Sequence, residues 1–358
     1  MIRFVAVGDL MLGDSSSTVG FGIHSRYAGR TIAEVFSDLA PLLAGADVVL
    51  GNLECSLSPV GVGDSRWARD QMRGDVVYAT AIREAGFTSI SIGNNHAMQH
   101  GDAGFAATVR ALRDAGLHVI GLRGSPPWAC DPVRTESSTG SSVTVLGYSW
   151  RPRQYGMGQT PYADAPLEAV LRDIIRAAAT SDVVIVSLHW GDEFVSQPSE
   201  ADVAAARAMI AAGASCLVGH HPHVTRPVVT MSDRLVAFSL GNAVSDMLWM
   251  PALREGYLLD TVLGDEPSVF RVTRLQTDSE YRIRLGGEVP ASALALVPLA
   301  TGQYREAVQR GLSSQRAAQY SYLLKNATRL ASGVLSTLIA TTVRNKWRTI
   351  VDRIRDLR

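Results

Sequence analysis

Apolar residues along this chain fall into short unbroken runs, separated by amphipathic stretches. Ile2 to Val7 is a β-rich run ending in Gly8-Asp9, and Asp47 to Asn52 is a second one, followed at once by Glu54. Further runs cover Thr88 to Ile92, His118 to Leu122, Val143 to Tyr148 and Asp182 to Leu188, and Leu217 begins another that leads into Gly219-His220-His221-Pro222-His223. Runs of this length, apolar on both alternating faces, predict buried strands. Between them, helical spacing predicts helices over Thr31 to Leu43, Ala79 to Gly86, a segment N-capped by Asp102 and running through Ala115, Pro166 to Ala179, and Glu200 to Ala212. Residues 56 to 75 and 126 to 142 are rich in turn formers and read as loops. Strands alternating with helices imply an α/β fold with largely parallel pairing. Beyond Arg234 the runs Leu235 to Leu240, Tyr257 to Val262, Val269 to Leu275 and Tyr281 to Leu285 follow without intervening helices, which predicts antiparallel β. From Thr301 onward the chain reads as helical.

Composition narrows this picture little. The 358 residues are 46% hydrophobic and 19% charged with a formal net charge of zero, a globular balance that argues against nucleic acid as the main partner. Cys55, Cys130 and Cys216 are too few and too scattered for a disulfide framework or a thiolate zinc site, which suits a reducing compartment. The N-terminal residues enter a strand directly, without the basic start and small-residue cleavage pattern of a secretory signal, and no run of about 18 apolar residues occurs. The expectation is a cytoplasmic protein.

The chemistry lies at the strand ends. Asp9, Glu54, Asn95 with His96, His189, and His221 with His223 each follow an apolar run, and in open α/β sheets the carboxyl ends of the strands are where ligands bind. Imidazole is the commonest metal ligand, and Pro222 stiffens the turn between His221 and His223. Carboxylate, amide and imidazole donors without thiolates suit one or two divalent ions of Mn, Fe or Zn. Such an ion acidifies water and polarises an acyl or phosphoryl oxygen.

Six segments come in order: Gly8-Asp9-Leu10-Met11-Leu12-Gly13, Asn52-Leu53-Glu54, Asn94-Asn95-His96, His189-Trp190-Gly191-Asp192-Glu193, Gly219 to Val224, and Ser239-Leu240-Gly241-Asn242. In this order they resemble the CapA-like family named for poly-γ-glutamate capsule synthesis, which is related to calcineurin-like metallophosphoesterases. The resemblance covers residues 1 to about 245. It implies a metallophosphoesterase-like two-sheet sandwich flanked by helices with a metal centre at one edge, here over residues 1–290; the helical C-terminal extension over 300–358 is read from the sequence and lies outside the resemblance. By position it implies Asp9, Glu54, Asn95, His189, His221 and His223 as metal ligands, Glu54 bridging, with His96 and Asp9 catalytic and His96 as the acid for the leaving group. His220 matches no ligand position. Three positions depart from the family pattern: Met11 stands where the wider superfamily has a histidine, Asp14 where CapA-like proteins often carry arginine, and Gln99 where they often carry aspartate.

The implied activity is a metal-dependent hydrolase or acyl-transfer protein acting on an amide-linked or polyglutamate-like substrate. Two rivals stay open: a phosphoesterase using the same site, and an accessory subunit of a polymer synthesis or export complex. Arg66, Arg69 and Arg73 on the 56–75 loop are candidate contacts for an anionic substrate, with Trp190 and Glu193 beside His189 shaping the pocket. At the C-terminus Val343, Trp347, Ile350, Val351, Ile354 and Leu357 form an apolar stripe opposite Arg344, Lys346, Arg348, Arg353, Arg355 and Arg358. A basic amphipathic helix of this kind either lies on an anionic membrane surface or packs on a protein.

Overall fold

The computed structural model describes residues 1–151, 155, 159–264 and 269–326. Two sheets face each other. The larger runs in the order Ile283–Glu288, Val269–Thr277, Glu255–Leu263, Ile2–Leu10, Val48–Leu53, Ser89–Ser91, His118–Ile120, with Asn242–Val244 paired beside the end of Ile2–Leu10. From Ile2–Leu10 to His118–Ile120 it is parallel, and from Glu255 onward it is an antiparallel meander. The second sheet runs Val228–Met231, Arg234–Ala237, Cys216–His220, Val183–His189, Ser142–Ser149, Val133–Glu136, parallel in its middle and antiparallel at both edges.

Period-two alternation explains why the runs are apolar throughout. Phe4, Ala6, Val48 and Leu50 point one way and pack with Val145, Ile185, Cys216 and Val218 of the second sheet, forming the sandwich core. Val5, Val7 and Val49 point the other way, onto Phe36, Leu39, Ile82, Phe87 and Leu112. On the outer face of the second sheet, Val184, Val186 and Leu217 meet Val170 and Ile174 of helix Leu167–Ala178 and Met209 of helix Glu200–Ala211. Each such fully buried side chain contributes roughly 1.5–3 kcal/mol over leaving it in water. Cys55, Cys130 and Cys216 are all free and buried.

Four local expectations need correction. Thr31 to Leu43 is not one helix but a 3-10 turn, Ile32–Phe36, and a short α-turn, Ala40–Leu43, because Pro41 lacks the N–H that a continuous helix would use. The 56–75 stretch carries two paired strands, Ser56–Leu57 and Arg73–Gly74, around the short helix Arg66–Asp70. Asp102 lies in the first turn of helix Gly101–Asp114 rather than at its cap. His100 takes the cap position, with its ring turned to the 58–73 loop: Nδ1 accepts from Val62 N and Nε2 donates to the Gln71 carbonyl. Finally, Arg234–Ala237 pairs parallel with Cys216–His220, and the expected all-antiparallel region begins only at Glu255.

Helix Thr301–Lys325 lies against the sandwich. Tyr304, Gly311, Gln319 and Tyr322 touch Asp192, Phe194, Ser17 and Trp249 respectively. The amphipathic stripe of 343–358 lies outside the described residues. No helix among the described residues is long and apolar enough to cross a membrane.

Candidate metal centre

Asp9 is placed by a register irregularity at the end of the first strand and by the close approach of Gly8 to Gly241, where a Cβ on Gly8 would sit 2.1 Å from the Gly241 carbonyl oxygen. The Asp9 side chain is fully buried. Its Oδ1 accepts from Asn52 Nδ2 at 2.9 Å and from His220 Nδ1 at 3.1 Å, and its Oδ2 from the His221 backbone N–H at 3.2 Å. Burial pushes this carboxyl up, but the His220 bond first, and then the neighbouring His220 and His223, outweigh it and hold it at about 2.

Glu54 is the centre of the cluster. It is fully buried, and neither carboxylate oxygen has a hydrogen-bond partner among the described residues. Its Oε1 lies 3.6 Å from His189 Nε2, 3.8 Å from His223 Nε2 and 3.9 Å from His96 Nε2. Burial first, and then the charges of Asp9 and Glu193, push its carboxyl well above the usual range. A buried carboxylate with no donor is costly, and a cation is the partner it lacks.

The imidazoles fit the same reading. Burial holds His189 and His221 well below the usual histidine range, so both are neutral and carry the lone pairs a metal needs. Both ring nitrogens of His221 and Nδ1 of His189 are buried and unpartnered. His221 and His223 have φ of 96° and 58°, a left-handed conformation that costs non-glycine residues roughly 1–3 kcal/mol and tends to mark functional turns. Asn95 Oδ1 accepts from His189 Nε2 at 2.7 Å, leaving Asn95 Nδ2 unpartnered. Three sets of donor atoms result, each within 4.8 Å of one another: Asp9, Glu54 and His223; Glu54, His189 and His221; Glu193, His221 and His223. Glu54 belongs to two of them. The residues present therefore fit one or two divalent ions.

His96 is partly buried beside this cluster. Its Nδ1 donates to Gln99 Oε1 at 2.7 Å, which leaves Nε2 as the lone-pair nitrogen on the Glu54 side. Burial pushes the ring down to about 4. The resting ring is neutral, so a role as acid requires it to collect a proton first.

Other expected residues fall elsewhere. Trp190, expected to shape a substrate pocket, is core: it stacks on Phe238 at 5.7 Å between ring centroids and donates Nε1–H to the Phe238 carbonyl. Arg66, Arg69 and Arg73 brace their own loop through Asp70, the Gly63 carbonyl and the Ser58 carbonyl. Met11 is buried among apolar side chains. Sequence reasoning passed over the amides that hold the ligands. Asn52 holds Asp9, Asn94 holds Asn52 and the Leu53 carbonyl, and Asn242 Oδ1 receives His223 Nδ1 at 3.0 Å. The signal was present, since each of these asparagines sits in one of the strand-end segments.

A two-sheet α/β sandwich, with imidazoles and carboxylates gathered at its strand ends, forms a site compatible with metal binding. Residues 3–247 match the model of the family described as bacterial capsule synthesis protein PGA_cap, and the chain belongs to that family. It is 29% identical over 263 residues to the capsule biosynthesis protein CapA of Bacillus anthracis, covering 69% of this chain and 61% of that protein. It is 28% identical over 249 residues to the PGA biosynthesis protein CapA of Bacillus subtilis, covering 66% and 64%. A probable polyglutamine synthesis accessory protein of Mycobacterium tuberculosis is 28% identical over 215 residues, 56% of each chain. The chain thus spans less than two thirds of the length of these relatives.

Proposed function

We propose that this chain uses the strand-end cluster as a metal centre to hydrolyse or transfer an acyl group of an amide-linked, polyglutamate-like substrate during polymer biosynthesis. The observation that carries the metal is Glu54, fully buried, with both oxygens unpartnered and shared between two donor sets. The substrate class rests on the capsule and PGA biosynthesis names of the relatives. Asp9, Glu54 and His223 would hold one ion, and Glu54, His189 and His221 a second, with Mn, Fe or Zn suited to these donors; Asn95, which the family resemblance adds to the ligands, lies beside the second set on His189. When bound, such an ion supplies Lewis acidity to a substrate oxygen and acidity to water.

The chain's own groups do the rest. His220 and the His221 backbone N–H keep the Asp9 carboxylate oriented and ionised. Asn242 fixes which nitrogen of His223 faces Glu54. His96 Nε2 takes a proton from the attacking water and returns it to the leaving atom, while Gln99 keeps the ring in the tautomer that permits this.

Elemental analysis of the purified protein beside a His221→Ala/His223→Ala variant tests the reading. The expected result is one or two ions per chain, depleted in the variant. An absence of metal after reconstitution would sink it. A metal-loaded protein that cleaves aryl phosphates but no γ-glutamyl amide would replace the substrate assignment with a phosphate ester.

A further inference from the structure

Glu193 enters a donor set with His221 and His223, yet it sits on the loop after Val183–His189 rather than on a strand. What holds that loop is the fully buried guanidinium of Arg226. Its Nε donates to the Val195 carbonyl at 2.8 Å and its Nη2 to the Asp192 carbonyl at 3.0 Å, so it grips the backbone on both sides of Glu193. Gly191 makes this grip possible: it has φ of +75°, and a Cβ there would lie 2.3 Å from Arg226 Nη1. On one side the loop is tied to the histidine turn, because the Phe194 N–H donates to the Pro222 carbonyl at 2.8 Å. On the other side it is tied to helix Thr301–Lys325. Tyr304 Oη accepts from the Asp192 backbone N–H at 3.1 Å and from Arg226 Nη2 at 3.3 Å. One helical stretch further on, Gly311 packs on Phe194 so closely that a Cβ would lie 2.7 Å from its carbonyl oxygen.

We infer that Glu193 is a metal donor on the His221/His223 side of the centre, and that Tyr304 of the C-terminal helix is a positioning residue that presents it, acting through Arg226 and the Gly191–Val195 loop. The inference rests on the metal-centre reading above. It makes the helix a working part of the site. It also gives the centre a carboxylate beyond Asp9 and Glu54, in a chain where Met11 supplies no nitrogen.

The test is a titration of metal-free protein with Co2+, followed by its visible absorption, with dissociation constants obtained by chelator competition. The proteins compared are the wild type, Glu193→Gln, Tyr304→Phe and the double variant. Partners that orient metal ligands typically affect affinity 10- to 100-fold, so Tyr304→Phe is expected to weaken Co2+ binding about tenfold, and Glu193→Gln at least as much. The double variant should bind no more weakly than Glu193→Gln alone, since Tyr304 acts only through Glu193. A helix-docking role for Tyr304 would give either wild-type affinity or losses that multiply in the double variant, and both results overturn the inference. Should Tyr304→Phe fold poorly, Gly311→Ala provides the second variant: its methyl displaces Phe194, and wild-type Co2+ affinity there would equally refute the idea. Wild-type binding with an unaffected Glu193→Gln variant removes this inference alone, whereas a wild type that takes up no Co2+ removes the metal centre as well.

Discussion

Asp246 gives a stability prediction that can be worked through in full. It is completely buried, its Oδ2 accepts the Ser15 backbone N–H at 2.8 Å and the Thr18 hydroxyl, and its Oδ1 has no partner among the described residues. Asp14 lies beside it: a Cβ on Gly22 would be 2.3 Å from Asp246 Oδ2 and 2.7 Å from Asp14 Oδ1, so both carboxylates line one small space. Burial, and then the Asp14 charge, push the Asp246 carboxyl up to about 7, against the opposing bonds from Thr18 and Ser15. At about 1.4 kcal/mol per tenfold change in proton affinity, the rise from 3.8 to about 7 corresponds to ~4 kcal/mol. The sign is unfavourable to the folded state at high pH. Below about 4 the group is protonated in both states and costs nothing. As pH climbs toward 7 the unfolded chain loses the proton and the folded one resists, so stability falls and then levels off above 7.

Asp246→Asn removes the titration and keeps an oxygen for Ser15 and Thr18. The variant should therefore match the wild type near pH 4 and exceed it at pH 8, by up to ~4 kcal/mol. Urea unfolding of the metal-free proteins at both pH values, with midpoints and slopes compared, reads this out. Parallel pH dependence in the two proteins, or a variant less stable at pH 8, would refute the reasoning.

Two further outcomes are expected. Gly219→Ala would place a methyl 2.1 Å from the Phe238 carbonyl oxygen and 2.6 Å from Trp190 Nε1, so it should destabilise by about 3 kcal/mol, seen as a lowered urea midpoint; an unchanged midpoint would contradict the close approach. Gln99→Glu puts a negative acceptor on His96 Nδ1 and should raise the ring from about 4 toward the ordinary histidine range; an NMR titration of labelled histidine in which it stays near 4 would show that the Gln99 contact does not govern this ring.

The sequence by itself determined the main apolar strands, their alternation with helices and the polar residues at the strand ends. Largely apolar runs such as Val183 to Leu188, interrupted only by Ser187, are satisfied by burial on both faces, and a polar residue just after such a run emerges at the sheet's edge. Tertiary structure decided what depends on neighbours distant in the chain. It brought Asp9 and His220, 211 residues apart, into one hydrogen bond, and tied Asp192 to Tyr304 across 112. It turned Trp190 into the core, because an indole between Phe238 and Trp150 buries more apolar surface than one facing a pocket. It also turned Arg226, a residue with no local signal, into the buried clamp of the Glu193 loop, since a guanidinium's fork finds its carbonyl partners only once the chain has folded around it.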